Sequence, residues 1–415
     1  MLKPPDAPAD KCPHDGKTCL GWGETSLAYE DDGWRATGGR THAVVIGVGD
    51  YSESRPLQDS KPASFAPLPG AARAAYRFAE YLRKEFHEPT GRSLATLRLL
   101  LSPVQDECAD LRSMKHRPAT TNEVALAVQD WAYNCNTHDQ NLAILYIVGH
   151  GVALRKAVST VFLADALQKA NEYIGAINLS LIQDYMGGCA AKDNIFVYDC
   201  CALSSDDVPT VTGAGGVFIR PFPKGGKERE NWVAINAARV GRQTFALGRD
   251  GTLLSRGLLG AYTDRMGEDA LLRTAGSIIL ADGINGRFGI TYDRLKVEIN
   301  PKLRGLLRSI NHPDDKYEAT IGGGYQNIAI PEPTPRFEVV LRNVLTGRTP
   351  PVRIGFQRGA GEGKPLLVDN AFDGQEVRLP AGRYSPYVEG TDGRRYYFES
   401  ALDLVKRQEL EVPPP

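Results

Sequence analysis

The chain has 415 residues, 42% of them hydrophobic and 24% charged, with a formal net charge of −1. That length accommodates two domains with a sizeable core, and so small a charge gives no global field for nucleic acid or an anionic membrane. No apolar run approaches the roughly eighteen residues of a membrane span, and seven cysteines, two of them adjacent, do not form a secreted disulfide pattern. The expectation is a cytoplasmic globular protein with neither a nucleic-acid nor a membrane partner.

Residues 1–40 are polar, contain Pro and Gly without a clear period, and read as an N-terminal arm. Cys12, His14 and Cys19 lack the paired spacing of a zinc site, and no second pair follows, so no metal or other cofactor is expected. His42–Tyr51 reads as a first buried strand ending in a Gly49-Asp50 turn. It carries neither the GxGxxG nor the GxxxxGK[ST] spacing that cradles a phosphate, which argues against a nucleotide-binding protein. A Ser- and Pro-rich loop over 52–67 leads through Leu68-Pro69-Gly70 into a helix over Ala71–Phe86.

Residues 94–101 form a second candidate strand, and Thr120 and Glu123 stand at capping-box spacing before a helix over Val124–Trp131. Leu142–Val148 is a short apolar run that ends in Gly149-His150-Gly151. Residues 158–166 suggest a hairpin or strand, Leu179–Met186 a helix, and Ile195–Tyr198 another apolar run, ending in Asp199-Cys200-Cys201. Such runs read as strands buried on both faces of a parallel sheet, and the β-α alternation fits right-handed crossovers. Sites in open sheets of this kind form beyond the carboxyl ends of the strands.

Residues 204–231 lack an internal period and hold Arg220, Lys224, Lys227 and Arg229; loops this long in compact domains tend to be functional or mobile. A strand over Trp232–Ala238 follows, then helices over Gly251–Tyr262 and Thr291–Leu307. Pro331–Pro335 reads as a linker between a domain over 41–330 and a smaller one over 336–415. In the latter, candidate strands over 336–342, 351–357, 365–368, 375–379, 384–389, 394–399 and 408–412 suggest a small all-β sandwich.

A thiol attacks a peptide carbonyl as thiolate, so it needs a base nearby; histidine fills that role and then protonates the leaving amine. The developing oxyanion needs fixed donors, which backbone N–H groups in sharp turns supply. His150 and the Cys200-Cys201 pair offer such a dyad, with the N–H groups of Gly151 and Cys201 as donors. Successive strand side chains alternate between faces, so one of the two thiols is expected to face His150.

Val148-Gly149-His150-Gly151 followed by Tyr198-Asp199-Cys200-Cys201 resembles the caspase, metacaspase and bacterial caspase-like peptidase clan, in residue order and in the gap between the motifs. Leu68-Pro69-Gly70-Ala71, Asn236–Gln243 and Gly251–Leu259 resemble the clan as well, so that the similarity covers roughly 42–330. It implies a caspase-hemoglobinase-like α/β fold, with a large-subunit-like region over 41–203 and a small-subunit-like region over 232–330. It also implies a cysteine endopeptidase acting on protein substrates within a bacterial regulatory or defence cascade. In the Asp-x-Cys pattern Cys201 is the nucleophile, with Cys200 the alternative. Ala202-Leu203 departs from the residues that usually follow.

In the resembling families the residue two before the nucleophile lines the pocket for the side chain preceding the scissile bond. Asp199 there implies cleavage after Arg or Lys. A second acid expected early in the first helix is missing from Ala71-Ala72-Arg73-Ala74; Asp50 is a substitute, or a cap for its turn. Arg73 or Arg239 would instead suit an Asp-accepting pocket. Cleavage within 204–231, by the enzyme itself or by an upstream protease, is the activation route the resemblance implies. The alternative is an inactive caspase-like scaffold that binds a partner through its β-domain.

Overall fold

The computed structural model describes residues 25–36, 38–51, 66–87, 92–107, 111, 114–154, 158–169, 172–201, 203–204, 213–214, 231–239, 242–260, 270–271, 279–282, 287–312, 317–323, 327–331, 336–342, 344, 353–358, 365–380, 382–389, 393–398, 402–404 and 408–412. Cys12, His14, Cys19, Arg220, Lys224, Lys227 and Arg229 lie outside the described residues. Within that description the chain divides into two compact units. The first takes the chain up to Phe86, Arg92–Leu271 and Leu295–Gln326; the second takes His87–Gly91, Leu272–Arg294 and the chain from Asn327 on.

Seven strands build the main sheet of the first unit: β1 (Leu27–Glu30), β2 (Thr41–Val48), β3 (Leu94–Ser102), β4 (Leu142–Gly149), β5 (Asp193–Cys200), β6 (Asn231–Asn236) and β7 (Thr320–Gly323). Their order is β1-β3-β2-β4-β5-β6-β7. β2 through β6 run parallel, while β1 and β7 are antiparallel edges. All eight residues of β2 and all eight of β4 are buried, as expected for β-branched runs covered on both faces. The arm expected over 1–40 therefore contributes a strand. At four residues, β1 is too short to display a period, and its partner on β3 holds it. β7 escapes a pattern reading for the same reason.

The helices are α1 (Ala71–Lys84), α2 (Thr121–Cys135), α3 (Leu179–Met186), α4 (Leu253–Leu259) and α5 (Tyr292–Ser309). Val128 and Trp131 of α2 and Ile182 and Met186 of α3 share one core with Ala143, Leu145 and Ile147 of β4 and with Phe196, Tyr198 and Cys200 of β5. α1 covers the opposite face: Phe78 stacks on Tyr146 with ring centroids 4.5 Å apart. Gly47 lets this Ala-rich helix sit close, since a Cβ there would lie 2.6 Å from that of Ala75. Arg77 ties α4 to α1 by donating to the carbonyls of Leu259 (2.7 Å) and Gly260.

Two expected features take other forms. Thr120 does precede α2, but its side chain makes no cap; Asp165 accepts from the Thr121 N–H and hydroxyl at 2.9 Å, and Glu123 pairs with Arg117 at 2.7 Å. A tertiary acceptor has replaced the local one. The helix expected over 251–262 is α4 alone, capped reciprocally by Thr252 and Ser255 and ended by Gly260 at φ 78°.

A second sheet extends from the site end of β4. Gly151–Leu154 and Val158–Lys169 pair antiparallel, as do Val158–Lys169 and Glu172–Asn178. Leu203–Ser204 and Gly213–Ala214 add short parallel edges on either side. In the second unit, Ile279–Asp282, Arg287–Thr291 and Asn327–Pro331 pair antiparallel. The unit thus takes in Asn327–Pro331, ahead of the expected linker, because these residues pair with Arg287–Thr291. Arg336–Arg342 pairs with Glu376–Pro380 and, in parallel, with Gln408–Glu411. Arg353–Arg358 pairs with Leu366–Val368 and with Gly382–Glu389, which also holds Arg395–Tyr397 and Leu402–Leu404. Each of the seven strands expected past 335 has a counterpart here.

Candidate active site

The five parallel strands, in the order β3-β2-β4-β5-β6, reverse direction of winding between β2 and β4, and ligands in such sheets bind beyond the carboxyl ends near that point. His150 follows β4 directly and Cys201 follows β5 directly. The β4–β5 register runs from Leu142 opposite Asp193 to Gly149 opposite Cys200. His150 and Cys201 stand one residue beyond that register, and strand alternation predicts the face of Tyr146 and Asp199 for both, whereas Cys200 faces the α2–α3 core. Burial, followed by the nearby Cys201 and Asp199, pushes the Cys200 thiol far up. Of the two thiols, Cys200 is packed as a small apolar side chain and Cys201 is partly open.

His150 is held from three sides. Its Nε2 lies 2.8 Å from the carbonyl of Ala66. A carbonyl only accepts, so Nε2 carries the proton and Nδ1 the lone pair of the neutral ring. Its backbone N–H donates to the Tyr51 hydroxyl at 2.7 Å, and its ring lies against Tyr51 with centroids 5.0 Å apart. Burial lowers the imidazole pKa, partly offset by the Ala66 carbonyl. Cys201 Sγ accepts from the Thr244 N–H at 3.4 Å and lies 3.9 Å from the Thr244 carbonyl. Burial raises this thiol and the Asp199 charge adds to the effect, while the Thr244 N–H opposes them. Both shifts favour the uncharged forms, an imidazole and a thiol.

Gly151 is required for a reason beyond access to its N–H. A Cβ there would sit 2.6 Å from the Cys201 carbonyl oxygen and 3.1 Å from Cys200 Sγ. The chain leaving His150 and the chain leaving Cys200 pass too closely for any side chain.

Asp199 is wholly buried. Tyr146 donates to its Oδ2 at 2.8 Å and the Thr252 hydroxyl donates to the same oxygen, while Oδ1 has no hydrogen-bond partner among the described residues. Burial pushes its pKa up to about 6 against the pull of those hydroxyls and of the Ser255 backbone N–H. Asp50 stands beyond β2, with β4 between it and β5, and its backbone N–H closes the turn onto the Ser102 carbonyl at 2.8 Å. Arg73 is buried with its guanidinium 3.8 Å from Glu107, and Arg239 is exposed 3.2 Å from Glu318.

Neither the family profiles nor the curated proteins compared with this chain match it. Among the described residues no three His, Cys, Asp or Glu side chains cluster as metal ligands, and no helix is long and apolar enough to cross a membrane.

The residues that pattern reading leaves out are the holders: Ala66, Tyr51, Tyr146, Thr244 and Thr252. Ala66 and Thr244 act through backbone atoms, which carry no residue signature. Tyr51 sits at a strand end where an aromatic residue is ordinary. A Thr-x-x-Ser spacing at 252–255 does announce the α4 cap, but not the carboxylate that cap also serves.

Proposed function

We propose that this chain is a caspase-like cysteine endopeptidase with the caspase-hemoglobinase α/β architecture, cleaving protein substrates after Arg or Lys. One observation supports the reading: His150 and Cys201 directly follow two adjacent, parallel, registered strands, with the imidazole bonded to the Ala66 carbonyl. In the reaction, the Cys201 thiol gives its proton to His150 Nδ1 as sulfur attacks the substrate carbonyl carbon. The carbonyl π bond opens into an oxyanion, which the N–H groups of Gly151 and Cys201 are suited to receive. His150 then protonates the leaving amine, the C–N bond breaks, and a thioester remains. Water, deprotonated by His150, cleaves the thioester and restores the thiol.

Asp199, two residues before the nucleophile and with one oxygen unpartnered among the described residues, is the group we assign to a substrate guanidinium or ammonium. Cleavage within 204–231 is the proposed route to the active form. The two small sheets past Arg336 are read as a β-sandwich, a surface for protein partners. Fluorogenic peptides ending in Arg, Lys or Asp test the reading directly. Turnover of the basic peptides is expected, lost in Cys201→Ala and His150→Ala and kept in Cys200→Ala. Loss in Cys200→Ala alone would move the nucleophile.

A second reading has its own support. Cys201 is engaged by the Thr244 backbone and its thiol is raised, as suits a silent scaffold as well as a resting enzyme. Absence of turnover even after the 204–231 segment is cut would favour the scaffold.

A further inference from the structure

We infer that Tyr51 is a positioning residue for His150, acting as a hydroxyl clamp across the mouth of the β2–β4 crevice; the inference rests on the peptidase reading above. The β2–β4 ladder runs from Thr41 opposite Leu142 to Gly47 opposite Val148, and named pairing stops there. On one side the His150 carbonyl accepts from the Phe162 N–H at 2.9 Å; on the other, beyond the last pair, the β2 ladder no longer reaches the His150 N–H. Tyr51 bridges this gap. Its hydroxyl accepts from the His150 N–H at 2.7 Å and donates to the Val48 carbonyl at 3.3 Å, so one side chain spans from the end of β2 to the residue after β4.

Two further features fit the clamp. The Tyr51 ring lies against the imidazole at 5.0 Å between centroids, restricting the tilt of the base as well as its backbone. Gly149, the last residue of β4, leaves space for the hydroxyl, since a Cβ there would stand 2.9 Å from it. Tyr51 is itself only 3% exposed, seated in the α2–α3 core together with Cys200, so its ring is fixed before it orients anything. The hydroxyl touches His150 through the main chain and takes no proton in the reaction. A misplacement of the base by a fraction of an ångström is enough to slow an attack that depends on aligned atoms.

Tyr51→Phe keeps the ring and deletes the clamp; Gly149→Ala crowds the hydroxyl from the other side. The readout is the pH profile of Cys201 alkylation by iodoacetamide, located by peptide mapping, beside kcat/KM on an Arg peptide and the melting temperature. Expected in Tyr51→Phe is a fall of about tenfold in kcat with little change in KM, together with an alkylation profile displaced from wild type toward that of His150→Ala. A Tyr51→Phe profile that superimposes on wild type, while that of His150→Ala departs from it, would overturn the clamp and leave the peptidase reading standing. If His150→Ala also superimposes on wild type, the histidine does not govern the thiol and the dyad itself falls. Because alkylation needs no turnover, the clamp is tested even if the enzyme is isolated in its resting form.

Discussion

The two ends of the central sheet treat polar groups differently. At the amino ends of the strands, Asn141 is buried and its side chain makes four hydrogen bonds. It accepts from the Arg40 N–H at 2.8 Å and donates to the Asn134 and Cys135 carbonyls at 3.2 Å and to the Thr137 hydroxyl at 3.1 Å. Asp193 there takes both Arg92 and the Asn231 amide. At the carboxyl ends, Asp199 is buried with one oxygen unpartnered among the described residues, and two thiols and a histidine are shifted by burial. Unmet and shifted groups occur at the amino ends too, His42 Nε2 and Asn194 Oδ1 among them, with burial lowering His42 to about 4; what sets the carboxyl ends apart is a thiol, an imidazole and a carboxylate gathered at adjacent strand ends. Substitutions at the two ends should therefore separate stability from activity.

The largest effect is expected at the carboxyl end. His150→Ala should lower kcat/KM by about a thousandfold or more while the melting temperature nearly holds, because the side chain is only half buried. A large loss of stability with proportionate loss of activity would erase the contrast. Asp199 comes next. Its folded pKa of about 6 stands above the ordinary 3.8, so the folded form holds the proton more tightly. Stability is then greatest below that ordinary value, declines as pH rises through 4 to 6, and above 6 carries a cost of roughly 3 kcal/mol. Taken as the difference between wild type and Asp199→Asn, which cancels the opposite slope of buried His42, urea melts should show wild type losing stability relative to the variant between pH 4.5 and 7.5. Equal pH dependence would mean the carboxylate is solvated.

At the amino end, Asn141→Ala should cost roughly 2 kcal/mol by stranding its buried partners, with kcat/KM on the surviving folded enzyme unchanged. The smallest effect concerns pH. Burial lowers His150, so its basic form persists below the usual range of a histidine, and the acid limb of kcat/KM should fall below pH 6.5. A limb at or above 6.5 would mean that another group, or a solvated His150, controls the base.

Much of the fold is legible in the sequence because long apolar runs and helical periods are properties of residue type. β2 through β6 and all five helices follow from them, to within a few residues at their ends. What is not legible depends on partners. β1 and β7 are short edges fixed by their neighbours, and the strands at 279–282 and 287–291 exist through pairing with 327–331. At the site, the two motifs bring His150 and the Cys200-Cys201 pair to view, and strand register divides the two thiols between faces. The Ala66 carbonyl and the Tyr51 hydroxyl could not be read ahead, since one lacks a side-chain identity and the other works through a main-chain N–H.

We propose Cys201, not its neighbour, as the reactive thiol beside His150. Treating the full-length protein with a peptidyl electrophile that ends in Arg, then mapping the modified residue by mass spectrometry, tests it most directly. The expected result is a single adduct on Cys201 that disappears in His150→Ala. An adduct on Cys200, or equal labelling of Cys201 with and without His150, would contradict it.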